Sequence, residues 1–156
     1  MNDAFAELYH RHSGDVYRFA LYLCRNKADA EDITSETFVR AWAGADRIRI
    51  DTVKNYLLTI ARNLHVQRSM RSRRETQLDD VHRDPSPDPH SRLEARSDVE
   101  AVRERLLAMR ETDRAAFLMR VVDEMSYEEI ARALSISLSS AKIKVHRARL
   151  SLADIR

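Results

Sequence analysis

The chain has 156 residues, with 27 lysines and arginines against 25 aspartates and glutamates and a formal net charge of +2. That length suits one ordinary domain or two small ones, and apolar residues at helical spacing along most of it exclude global disorder. Its single cysteine, Cys24, excludes an intramolecular disulfide, and no apolar run is long enough for a membrane span or a signal peptide.

There are only two glycines, and all three prolines fall within residues 84–90. With so few helix terminators elsewhere and so much Ala, Leu, Arg and Glu, the sequence predicts an all-α protein. A first helix is expected from Asp3 to His12, with Phe5, Leu8 and Tyr9 on one face. Ser13 is positioned to cap a second, with the stripe Val16, Phe19, Ala20 and Leu23, and Cys24 buried among these apolar residues. A third runs from about Ala28 to Trp42. Asp29, Glu31 and Asp32 lie in its first turn, where carboxylates suit the positive end of the helix dipole. Ile33, Thr37, Phe38, Val39, Ala41 and Trp42 supply its apolar surface, and Gly44 ends it.

After a loop, a fourth helix is predicted from Thr52 or Val53, burying Leu57, Ile60, Ala61 and Leu64 and fraying into Arg71 to Arg74. Lys54, Arg62, Arg68, Arg71, Arg73 and Arg74 lie in one stretch without an acid, so a polyanion is a plausible partner there. Residues 76–96 lack helical periodicity and read as a flexible linker between a domain at 1–75 and another at 97–156. The second domain opens on a capping box, Ser97 to Glu100, followed by Val99, Val102, Leu106 and Met109 at helical spacing. Thr112 is expected to cap the next helix, which reaches Val121 or Val122.

The last stretch is the most organised. Ser126 and Glu129 form a capping box for a helix that buries Tyr127, Ile130, Ala131 and Leu134. Ser135-Ile136-Ser137 makes the turn, and Ser137 caps a final helix whose stripe is Leu138, Ala141, Val145, Ala148 and Leu152. The opposite face carries Ser139, Ser140, Lys142, Ile143, Lys144, His146, Arg147 and Arg149, with no acid before Asp154. Two short helices, a tight turn and a basic outer face form the pattern of a DNA-reading helix-turn-helix, although a solvated charged face has the same composition.

With these residues in place the chain resembles the bacterial sigma factors of the extracytoplasmic-function group. Three segments carry the resemblance in order: Asp29 to Trp42, Asn55 to Arg74 and Met125 to Leu152. Departures include Ser135 and Ser139, where the family usually has Gly, and Ile143 and His146 on the reading face. The resemblance implies a minimal, two-domain, cytoplasmic, monomeric factor that initiates transcription and is not an enzyme. Its partners would be core RNA polymerase, through the β′ clamp and β flap, promoter DNA and an anti-sigma factor. No cofactor, metal or membrane insertion is implied.

By the same resemblance Asp29, Glu31, Asp32 and Glu36 would dock on polymerase, although such acids also simply stabilise a helix start. Ala45, Asp46, Arg47, Ile48 and Asn63 would handle the −10 element, where a base is flipped out of the stack, with Arg40, Arg62 and Arg68 on phosphates. Arg120, Lys142, Ile143, His146 and Arg147 would meet the −35 element, with Ser139 and Ser140 on a phosphate. Two other functions fit parts of the chain: a stand-alone helix-turn-helix regulator whose residues 1–75 dimerise or bind a ligand, and a small hydrolase with Asp29, Glu31, Asp32 and Glu36 as metal ligands. No nucleophile–base pair or phosphate-binding glycine loop supports catalysis.

Overall fold

The computed structural model describes residues 2–44, 53–78 and 98–153. Seven helices occupy them: α1 (Asn2–Cys24), α2 (Lys27–Ala43), α3 (Val53–Leu78), α4 (Asp98–Ala108), α5 (Glu111–Val121), α6 (Tyr127–Leu134) and α7 (Leu138–Ala153). The expected linker beyond Leu78, the loop at 45–51, the Ser97 cap and Asp154 lie outside the described residues.

The two helices expected before residue 25 are one. Leu8, His12, Val16, Phe19 and Leu23 keep a spacing of three or four straight through Ser13 and Gly14, the first two half-buried and the rest buried, so the inward-facing stripe never changes phase. Packing along that stripe outweighs the cost of a mid-helix glycine, about 0.5–1 kcal/mol. Arg25, left-handed at φ 55°, ends α1. Asn26 then caps α2, its Oδ1 accepting the Asp29 N–H at 3.0 Å.

Helices α1, α2 and α3 pack on one another around Val16, Phe19, Leu23, Ile33, Phe38, Leu57, Leu58 and Leu64. Each of these large apolar side chains contributes roughly 1.5–3 kcal/mol when fully buried. Phe5 meets Trp42 and Tyr9 meets Phe38 edge-to-face, at 5.1 and 4.9 Å between ring centroids. Thr34 and Thr37 are buried, and each donates its hydroxyl to the carbonyl four residues back. Val39, expected in the stripe, faces solvent. Cys24 is half-buried rather than enclosed. Gly44 ends α2 without a positive φ; what it allows is close approach, because a Cβ there would lie 3.0 Å from the Tyr56 hydroxyl.

The second unit folds α5, α6 and α7 around Ala115, Leu118, Met119, Met125, Ile130, Leu134, Ala141 and Val145, with α4 against α5 and α7. Helix α5 begins at Glu111 with Arg110 as its cap residue and no side-chain cap bond, so Thr112 is inside the helix and not before it. The joint with α4 is made instead by Arg114. Its buried guanidinium donates to the Leu106 and Met109 carbonyls at 3.3 and 3.2 Å, joining the Met109 N–H on the first of them at the end of α4. Ser126 and Ser137 cap α6 and α7 as expected, accepting the N–H groups of Glu129 and Ser140. Of the final stripe, Ala141, Val145 and Ala148 are buried and Leu152 half-buried, while Leu138 is exposed.

The turn between α6 and α7 holds Ser135 at φ 55°, a left-handed conformation that costs a residue with a Cβ about 1–2 kcal/mol. Its N–H still closes α6 by bonding to the Arg132 carbonyl at 3.3 Å. Ser135→Gly should therefore raise unfolding stability by about 0.5–1 kcal/mol, the strain relieved less the extra freedom of the unfolded chain. Ser135→Val should lower it. Urea unfolding of the three proteins tests this, and equal midpoints would contradict it.

Candidate nucleic-acid interface

Burying Ala141, Val145 and Ala148 against α5 and α6 fixes which way α7 faces. Ser139, Lys142, Ile143, His146, Arg147 and Arg149 are all exposed, with Ser140 half-exposed. Ile143 is 54% exposed, and with Leu150 seven residues on at 58% it gives a largely polar face two uncovered apolar side chains. Helix α7 thus presents a basic ridge, and a major groove is wide enough to admit an α-helix. Ser140 donates its own N–H to Ser137, so it has its hydroxyl rather than that N–H for a phosphate.

Two cations of this region are tied inward. Lys144, expected on the outer face, is half-buried with its ammonium 3.5 Å from Asp113 Oδ1. Arg120 donates to the Met125 carbonyl at 3.0 Å and lies 4.5 Å over the Tyr127 ring, so it braces the turn between α5 and α6.

In the first unit the acids and the arginines meet. Arg68 on α3 contacts Asp29 at 3.0 Å and Asp32 at 3.4 Å, and Arg40 contacts Glu36 at 3.0 Å. These pairs are solvent-exposed and worth about 0–1 kcal/mol each, so another partner can replace them readily. They also divide three of the four carboxylates of the hydrolase alternative, Asp29, Asp32 and Glu36, between two arginines. Glu31 and Asn63 are exposed. Ala45, Asp46, Arg47 and Ile48 lie outside the described residues.

The pairs that sequence reasoning missed join the two units. Arg62 makes a bidentate contact with Glu111, Nε to Oε1 at 3.0 Å and Nη2 to Oε2 at 2.8 Å, with its side chain only 15% exposed. The Asn55 amide donates to Glu129, which turns the expected capping-box carboxylate away from its own helix. Lys54 lies 3.3 Å from Asp123 and 3.8 Å from Asp15. Arg103 stacks 5.8 Å from the Tyr22 ring centroid. Arg62, assigned to DNA phosphates by resemblance, is in this arrangement already paired.

Burial raises the Asp123 carboxyl to about 6, outweighing the Lys54 ammonium that opposes it. Burial likewise lowers the His65 imidazole and raises the Cys24 thiol.

These features define a two-unit helical protein whose second unit is a helix-turn-helix. Residues 8–75 match the family Sigma-70 region 2, and residues 99–152 match Sigma-70, region 4. The sigma factor SigE of Mycolicibacterium smegmatis is 35% identical over 95% of this chain, which spans 60% of that relative's length. YlaC of Bacillus subtilis is 26% identical over 96% of this chain and 90% of its own. A co-crystal structure of the sigma factor RpoE with the anti-sigma factor NepR from Bartonella quintana superposes with a TM-score of 0.82. At 25% identity, that match covers 97% of this chain and 96% of the other. The chain belongs to the sigma-70-related RNA polymerase sigma factors, in their extracytoplasmic-function group. A region 2 match over residues 8–75 disfavours the stand-alone regulator, which needed a dimerisation or ligand-binding unit there.

The Asp123 carboxyl gives a pH test. Between 3.8, the ordinary carboxyl value, and about 6 the folded chain holds a proton that the unfolded chain has released. The stability this confers is complete below 3.8 and is lost as pH rises through 6. The wild type should therefore lose stability relative to Asp123→Asn as pH rises from acid to about 6.5 and run parallel above that. A stability difference that does not change across this range would contradict the buried, raised carboxyl.

Proposed function

We propose that this chain is an alternative sigma factor. It binds core RNA polymerase, recognises −10 and −35 promoter elements and starts transcription. One observation carries most of the weight: α7 buries its apolar stripe and leaves Ser139, Lys142, Ile143, His146 and Arg147 outward on one ridge. Arg147 can pair with guanine O6 and N7, and Ile143 can meet a thymine methyl. In the first unit the loop at 45–48 and Asn63 take the −10 base, and Arg40, Arg62 and Arg68 take phosphates. Asp29, Glu31, Asp32 and Glu36 meet the polymerase clamp. The linker expected at 76–96 begins only after Leu78, because residues 76–78 belong to α3.

The chain contributes binding and positioning and no covalent chemistry, and it acts in the cytoplasm. No helix among the described residues is long and apolar enough to cross a membrane. Its closed arrangement suits an anti-sigma partner, because RpoE has a similar overall fold in its complex with NepR. In the chain by itself Arg62 is held by Glu111, and promoter binding exchanges this carboxylate for DNA phosphate.

The polymerase dock gives the test. The double variant Asp29→Lys/Asp32→Lys sets cations against Arg68 and against any basic surface on polymerase, which should weaken binding to core polymerase by roughly tenfold or more. Helix content by circular dichroism should be unchanged, because both residues are on the outside of α2. Unchanged affinity for core polymerase at moderate salt would remove these acids from the dock.

A further inference from the structure

Asp113 lies in the first turn of α5, beneath the recognition helix, with its side chain 5% exposed. Its two oxygens are divided between two cations of α7. Oδ1 is 3.5 Å from Lys144 Nζ, and Oδ2 is 3.6 Å from Arg147 Nη1. Lys144 and Arg147 are three residues apart and so share one edge of the helix. They differ in exposure: the Lys144 side chain is 19% exposed and that of Arg147 is 54%. The lysine neutralises the buried carboxylate. The arginine reaches past it into solvent with most of its donors outward.

We propose that Asp113 is a positioning residue for promoter specificity, drawing the Arg147 guanidinium toward α5 by charge so that its outward donors are presented to a base. This rests on Arg147 being a base reader. At 3.6 Å the contact is an ion pair longer than a hydrogen bond, so the five N–H donors of the guanidinium remain available, among them a pair for guanine O6 and N7. The tether removes side-chain freedom before DNA arrives. An arginine without it has many rotamers and reaches phosphates as easily as bases. The carboxylate also balances Lys144, which without it would be an uncompensated cation beside the reading face and would favour phosphate binding at that point. Asp113 thus gives up some general affinity while it sharpens the choice at one base pair.

Those two effects have opposite signs, and a purely structural residue would not separate them. The experiment uses core polymerase carrying the full chain. The wild-type holoenzyme selects its −35 element from random duplexes, and every single-base variant of that element is then measured by competition. Asp113→Asn should bind unselected DNA more tightly, with a salt dependence steeper by about one phosphate contact. At the base pair read by Arg147 its discrimination should fall about two- to tenfold. Arg147→Ala should lose discrimination at that same pair, and adding Asp113→Asn to it should cost nothing further there. Asp113→Asn/Lys144→Met removes both charges of the buried pair and should show the same loss of discrimination, which guards against a failure of the single variant to fold. Loss on Arg147→Ala with none on either Asp113 variant overturns the positioning role alone. Uniform loss on Arg147→Ala overturns the base-reading assignment and the positioning role with it. A wild-type holoenzyme that selects no sequence overturns the sigma-factor function as well.

Discussion

Charges trapped where helices meet must find partners, and in this chain that requirement joins the two units. Arg62, Lys54 and Asn55 all project from α3 toward the second unit, and Glu111, Asp123 and Glu129 receive them. Removing one member of such a half-buried pair leaves an uncompensated charge, which costs more than the intact pair contributes. The seam is therefore selective rather than strongly stabilising: few other docking geometries would satisfy all three contacts. Asp123 is the most costly member, since burial raises its carboxyl in spite of Lys54. These ion pairs stand beside apolar contact, since the buried apolar residues of both units form one cluster, and the ionic part of the seam is sensitive to competing polyanions and to salt.

The same requirement operates inside the second unit. Arg114 is buried because the end of α4 offers it carbonyls, and Asp113 is buried because α7 offers it two cations. Adjacent residues of opposite charge thus anchor α5 to a helix on either side. The recognition helix is then fixed by apolar burial along Ala141, Val145 and Ala148 and by the carboxylate under its edge. What remains outward is the set of side chains that a DNA groove can take.

Local patterns in the sequence account for much of this. The caps at Ser126 and Ser137 depend on residues three positions apart, and both are made. The stripes of α3 and α7 follow helical spacing, and they are buried apart from positions such as Leu138. Errors arose where local signals competed with packing. Ser13 looks like a cap but lies inside a continuous helix, and Thr112 lies one residue inside α5. The seam had no local signal at all, because Arg62 and Glu111 are 49 residues apart and Asn55 and Glu129 are 74 apart. Lys144 shares a face by spacing with the residues expected to read DNA, yet the depth of Asp113 decides that it points inward.

A basic helix face and a matched fold give this chain its assignment as a promoter-selecting subunit. Run-off transcription tests that assignment most directly. Core polymerase, alone or with the full chain, is supplied with a library of fragments carrying varied −10 and −35 elements. Defined-length transcripts should appear only when the chain is present, from fragments sharing both elements, and should fail when either element is scrambled. Equal transcription with and without the chain, or binding of the free chain to a palindrome with no effect on polymerase, would contradict it.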